Sequence, residues 1–165
     1  MRFARLFLAL LSLPALPAHA TPEPPTGRSG LPTPRFASLR AGDANARSGP
    51  GEQYPVTFHY ARKGLPVKVV REWGPWRLIR DPDGDSGWMD QAMVAKDRTA
   101  YVTRVIRTLY AQPDVAAKPL WRAEAGVVAR IIFCAGSWCR ISIDGQSGYI
   151  PRAQLWGVGA DEKLG

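Results

Sequence analysis

The stretch Gly64 to Trp88, GLPVKVVREWGPWRLIRDPDGDSGW, decides the fold, because a weaker copy returns from Gly126 to Tyr149 as GVVARIIFCAGSWCRISIDGQSGY. In each copy a glycine opens an apolar run, and a tryptophan follows twelve residues later: Trp76 after Gly64, Trp138 after Gly126. Each copy then passes through an Asp-Gly turn, Asp83-Gly84 or Asp144-Gly145, to Ser-Gly-aromatic at Ser86-Gly87-Trp88 or Ser147-Gly148-Tyr149. Repetition of this kind marks tandem units, and equal spacing predicts equal strand register in both. The pattern within each copy is that of β-strands joined by tight turns.

Working outward, Arg35 to Leu39 (RFASL) alternates as a short strand, and Ala44 to Arg47 leads into the loop Ser48-Gly49-Pro50-Gly51. Tyr54 to Tyr60 reads as a further, distorted strand, and Gln91 to Val94 as a single 3₁₀ turn closing the unit. The second unit opens with Thr99 to Leu109, whose valines, isoleucine and tyrosine favour strand. The fold class is all-β: two tandem small barrels at 35–97 and 98–158, since closure is how such short strands avoid exposed edges. Units of this size are marginal alone, so the two are expected to pack together.

The ends read differently. Residues 1–20 join Arg2 and Arg5 to an apolar run from Leu6 to Leu13 and an Ala18-His19-Ala20 cleavage site, the pattern of a secretory signal. Pro14 and Pro17 break that run short of the ~20 residues a spanning helix needs. Residues 21–34 hold five prolines and read as an extended, disordered linker; residues 159–165 form a C-terminal tail. Export places the chain in the periplasm or cell envelope, with no stable membrane insertion after cleavage.

Charge is uneven. Residues 35–97 carry ten Lys and Arg against eight Asp and Glu, whereas 98–158 carry eight against three, with Arg98, Arg104 and Arg107 close together. A basic surface hastens encounter with anionic polymers, which for an exported protein means wall glycopeptide, anionic lipid or acidic protein before nucleic acid. Catalysis finds little support: His19 leaves with the signal, and His59 sits between Phe58 and Tyr60 on a strand. Asp81, Asp83 and Asp85 alternate but lack the glycine and glutamate spacing of a calcium loop, so they read as a turn. No cofactor or metal is expected.

Cys134 and Cys139 flank the second hairpin turn, and counting from the opening glycines aligns them with Glu72 and Arg77. An opposite-charge pair in one copy and a cysteine pair in the other is what facing cross-strand positions would show. In an exported setting a structural disulfide follows. The spacing is not the Cys-x-x-Cys of a redox dithiol.

The motif Asn45-Ala46-Arg47-Ser48-Gly49-Pro50-Gly51 with Tyr54-Pro55-Val56, then Gly64-Leu65-Pro66-Val67, Trp76-Arg77 and Gly87-Trp88, resembles the bacterial SH3-like (SH3b) domain. Two copies span residues 35 to 158, in the manner of exported tandem SH3-like proteins with no catalytic domain attached. The second copy departs from the pattern, with Leu109-Tyr110-Ala111-Gln112-Pro113 in place of the first loop and Tyr149 in place of the tryptophan. The resemblance implies non-enzymatic binding, often to peptidoglycan, through aromatic residues between loops.

Trp76, Trp138, Trp88 and Tyr149 recur in both copies and are expected to be packing residues of the barrels, Trp76 in the core. Trp73 has no such counterpart, since Ala135 takes its place, and it sits in a turn beside Gly74-Pro75. The expected ligand site is therefore on the first unit, around Arg47, Tyr54, Trp73 and Trp88. Two functions follow: recognition of peptidoglycan or a wall-associated ligand, or a periplasmic adaptor that binds a peptide segment of an envelope enzyme or secretion component.

Overall fold

The computed structural model describes residues 27–165; the expected signal, and the linker up to residue 26, lie outside them. Seven strands form the first sheet: β1 (Arg35–Leu39), β2 (Ala44–Arg47), β3 (Val56–Tyr60), β4 (Pro66–Trp73), β5 (Trp76–Arg80), β6 (Ser86–Asp90) and β7 (Val94–Ala95). Seven more form the second: β8 (Thr99–Val102), β9 (Arg107–Tyr110), β10 (Pro119–Ala123), β11 (Val128–Ala135), β12 (Trp138–Ile143), β13 (Gln146–Pro151) and β14 (Leu155–Trp156). The strand orders, β3-β2-β6-β5-β4-β1-β7 and β10-β9-β13-β12-β11-β8-β14, are the same topology twice. A 3₁₀ turn precedes the last strand of each, at Gln91–Met93 and Arg152–Gln154.

Alternation explains the two cores. Ala37, Leu39, Ala46, Val67, Val69, Ile79 and Met89 come from successive strands yet meet in one buried cluster, so the sheet curls round it. Val102, Leu109, Ala129, Ile131, Ile141 and Ile150 do the same in the second unit.

One irregularity is shared. The β4–β5 register slips between Val69 and Arg71, and the β11–β12 register slips between Ile131 and Phe133. The extra residue of such a bulge reverses which side chains face inward beyond it. Glu72 and Cys134 are thereby turned to the inner side, Trp73 and Ala135 to the outer. Bulges also interrupt the β2–β3 and β9–β10 pairs at the outer edge of each sheet.

The structure corrects three expectations. Thr99 to Leu109 is two strands, because Arg104 takes a positive φ of 66° and turns the chain between β8 and β9; no glycine or asparagine announces that turn. The described part of the supposedly disordered linker is held down: the Ser29 N–H and hydroxyl both donate to the Glu72 carboxylate at 2.8 Å. Trp76 and Trp138 lie outside both core clusters. They are half-buried on the outer face, and the inward positions beside them are Arg77 and Cys139.

The units touch as expected. The Thr99 hydroxyl donates to the Gly64 carbonyl at 2.6 Å and Arg62 to the Gly126 carbonyl at 2.5 Å. Phe36 meets Trp156 edge-on at 5.1 Å.

Candidate functional site

Cross-strand partners share a face, so the ladder itself assembles the outer surface of each sheet. On the first, Arg71 faces Leu78, Leu78 faces Trp88, and Trp88 faces Arg47. Two residues along, Trp73 faces Trp76 and Trp76 faces Asp90. On the second the matching rows are Phe133, Arg140, Tyr149 and Tyr110, then Ala135, Trp138 and Pro151. The same lattice thus carries different chemistry on each unit.

Of the expected site residues, three gather at one corner. Arg47 donates to the carbonyls of Tyr54 at 2.8 Å and Glu52 at 3.2 Å, closing the loop 48–55 over β2. A side chain at Gly49 would collide with the Tyr54 ring, which is why a glycine stands there. Tyr54 is 39% exposed at the rim. Trp88 is only 7% exposed, beneath the Arg71 guanidinium 5.3 Å from its ring, a cation–π contact. Trp73, 67% exposed, shares this face but stands at the far corner, with β5 and β6 between it and Arg47.

Sequence comparison missed the second unit's platform. Tyr110 and Trp138 meet edge-on at 6.0 Å, Phe133 and Tyr149 likewise at 6.0 Å, and Arg140 lies 5.8 Å from the Tyr149 ring centre. Treating the shared aromatics as core hid them. Strand parity would have found them: Trp138 and Arg140 alternate with the inward Cys139 and Ile141.

The basic residues of the second half do not form one face. Arg152 is buried, its guanidinium donating to the carbonyls of Gly136, Gly159 and Glu162. Arg98 is bound to Glu162, and Arg107 donates to the Thr103 carbonyl at 3.4 Å. Arg104 and Arg122 remain exposed.

Glu72 and Glu162 are the electrostatic pivots. Burial opposes ionisation of Glu72, yet Ser29 and Arg35 outweigh it and hold the carboxyl below the usual glutamate range. Arg77 completes the cluster at 3.3 Å. The Arg98 hydrogen bonds do the same for Glu162, against burial and with help from the Gly159 N–H.

Asp81 caps its own turn. One carboxylate oxygen accepts from the N–H groups of Asp83 and Asp85, the other from the Tyr60 hydroxyl at 3.1 Å. Burial and the Asp81 charge push Tyr60 well above its ordinary value. His59 is exposed and bonded to Asn45 at 3.0 Å. Cys134 and Cys139 form a disulfide with an S–S distance of 2.03 Å.

Residues 40–96 and 104–157 each match the model of the bacterial SH3 domain. The chain belongs to that family. As a pair of bacterial SH3 domains it is 24% identical over 125 residues to the putative N-acetylmuramoyl-L-alanine amidase YrvJ of Bacillus subtilis (strain 168). That match covers 69% of this chain but 24% of the relative, so the chain spans about a quarter of that protein's length. Among solved structures it is similar to an NlpC/P60 family protein of Bacillus cereus ATCC 10987, at 15% identity and TM-score 0.34 over 73% of this chain and 55% of that one. It is similar too to NlpC2 of Trichomonas vaginalis, at 15% identity and TM-score 0.33 over 75% and 48%. No helix among the described residues is long and apolar enough to cross a membrane.

Proposed function

We propose that this chain is a non-enzymatic binding module of the cell envelope that holds peptidoglycan on the outer faces of its two sheets. The observation that carries this reading is the pairing of aromatic rings with arginine on both faces: Trp88, Arg71 and Arg47 on one, Tyr149, Arg140 and Phe133 on the other. Exposed ring faces such as those of Tyr54 and Trp73 suit the apolar faces of sugars, the buried Trp88 ring backs the Arg71 guanidinium, and a planar guanidinium suits the carboxylates and carbonyls of stem peptides. The similarity to a putative N-acetylmuramoyl-L-alanine amidase and the signal-like residues 1–20 support the same setting, periplasm or envelope.

On this reading Arg47, Tyr54 and Trp88 form one corner of the first unit's binding face and Trp73 the opposite one. Arg47 is a positioning residue as much as a ligand contact, because its guanidinium already holds the loop that carries Tyr54.

Sedimentation with purified murein sacculi tests this. The parent chain should co-sediment, and soluble muropeptides should release it. Trp73→Ala should weaken retention by about 1–3 kcal/mol while stability stays within about 0.5 kcal/mol. Absence of retention at low salt overturns the reading and leaves a peptide-binding adaptor.

A further inference from the structure

The residues that join the two units stand between two clefts. One, of about 920 Å³, opens on the side of the first sheet's β1–β7 edge, and another, of about 550 Å³, on the side of β11. Arg40, Asp97 and Arg98 line both; Lys96 lines the larger, and Lys63 and Arg130 the smaller.

Charge at this junction is poorly balanced. Glu162, the other lining carboxylate, is already spent on Arg98 and the Gly159 N–H. Arg40 is anchored through the Ala92 carbonyl at 2.9 Å, which neutralises none of its charge. Lys63, Lys96 and Arg130 are not seen to bond any other described side chain, and the Arg98 Nε is buried with no acceptor. Asp97 alone is left to oppose Arg40, Lys63, Lys96 and Arg130. Concave walls of low dielectric concentrate such a field, and a guanidinium grips oxyanions through paired hydrogen bonds.

We propose that the junction binds an oxyanion, a carboxylate or phosphate group carried by an envelope polymer, with Arg40 and Lys96 as its principal donors and the Glu162-paired Arg98 as part of its wall. The site needs both units and their connection, so neither sheet alone possesses it. It gives the tandem arrangement a function beyond doubling the aromatic faces. The site stands on its own geometry; only the source of the anion rests on the wall-binding reading.

The test is a nitrogen-15 NMR titration of the full chain with sodium phosphate, against sodium chloride at matched ionic strength. Phosphate should produce saturable shifts at the amides of 95–99, which chloride does not reproduce. Replacing both exposed cations, Arg40→Gln with Lys96→Gln, should weaken phosphate binding about tenfold without lowering Tm. Shifts equal to those with chloride, or unchanged affinity in the double variant, overturn the site. Muramyl dipeptide and glycerol 3-phosphate are then competed against phosphate: displacement by the first assigns a peptide carboxylate, by the second a polymer phosphate. Displacement by neither overturns the polymer assignment. If murein sedimentation fails while phosphate still binds saturably, the wall-binding reading falls and the anion site stands.

Discussion

At one and the same place in the two sheets, the first unit sets Glu72 opposite Arg77 and the second sets Cys134 opposite Cys139. Both pairs face inward beyond the shared bulge, and both close the hairpin that carries the outward tryptophan. The difference lies in what each pair demands of its neighbours. A buried carboxylate must be satisfied on every side, so Glu72 draws in Ser29 and Arg35 as well as Arg77. A disulfide demands nothing. Arg98, which occupies the place of Arg35 in the second ladder, therefore turns to Glu162 of the tail. The Gly74 carbonyl is capped by Arg77, whereas its counterpart Gly136 is capped by Arg152. One substitution of chemistry thus explains why the segment before β1 binds the first unit while the segment after β14 binds the second.

The sharpest way to break this comparison is to remove one partner of the ionic pair. Glu72→Ala leaves Arg77 buried without a counter-charge and should cost the first unit about 3–5 kcal/mol, read as an early transition in a denaturant titration. A loss below about 1 kcal/mol would show that the pair is replaceable by water.

Opening the covalent counterpart should cost less. The cysteines are five residues apart, and closing so short a loop contributes roughly 2 kcal/mol by the chain-entropy relation. Replacing both by serine should lower the second unit's stability by that amount and leave murein retention intact. Thiol titration of the oxidised parent should find no free thiol.

Acid gives the smallest effect and separates the two designs. Glu72 and Glu162 both lie below the usual 4.5 in the folded chain. A depressed carboxyl stabilises fully above its unfolded value and loses that contribution as pH falls through the folded one. Thermal midpoints should therefore be flat from neutrality to about pH 5 and decline below about pH 4.5. Glu162→Gln should flatten the decline of the second unit only; a decline unaltered by it would mean other carboxylates govern acid stability.

Much of this was legible in the residues. β1 at Arg35–Leu39 and β2 at Ala44–Arg47 have the bounds that alternation and turn residues give, and counting from two glycines set Cys134 against Glu72. What could not be read was set by long-range partners. Ser29 is a linker residue by composition and becomes structural only because Glu72 points inward at it. Arg104 carries no turn signature, so the break after β8 was hidden among β-branched neighbours. At the site, Trp73 is exposed beside Gly74-Pro75; Trp138 and Tyr149 read as packing residues because aromatics recur at those places in both copies, and Phe133 was hidden by a bulge, invisible in composition, that decides which side of β11 faces out.

The bulges at the outer edges have a consequence for crowding. β3 follows Pro55, β10 begins with Pro119, and each pairs irregularly with its neighbour. A proline gives no N–H to an incoming strand and a bulge twists the edge away from one. Pairing of neighbouring copies edge to edge through β3 or β10 is thereby disfavoured.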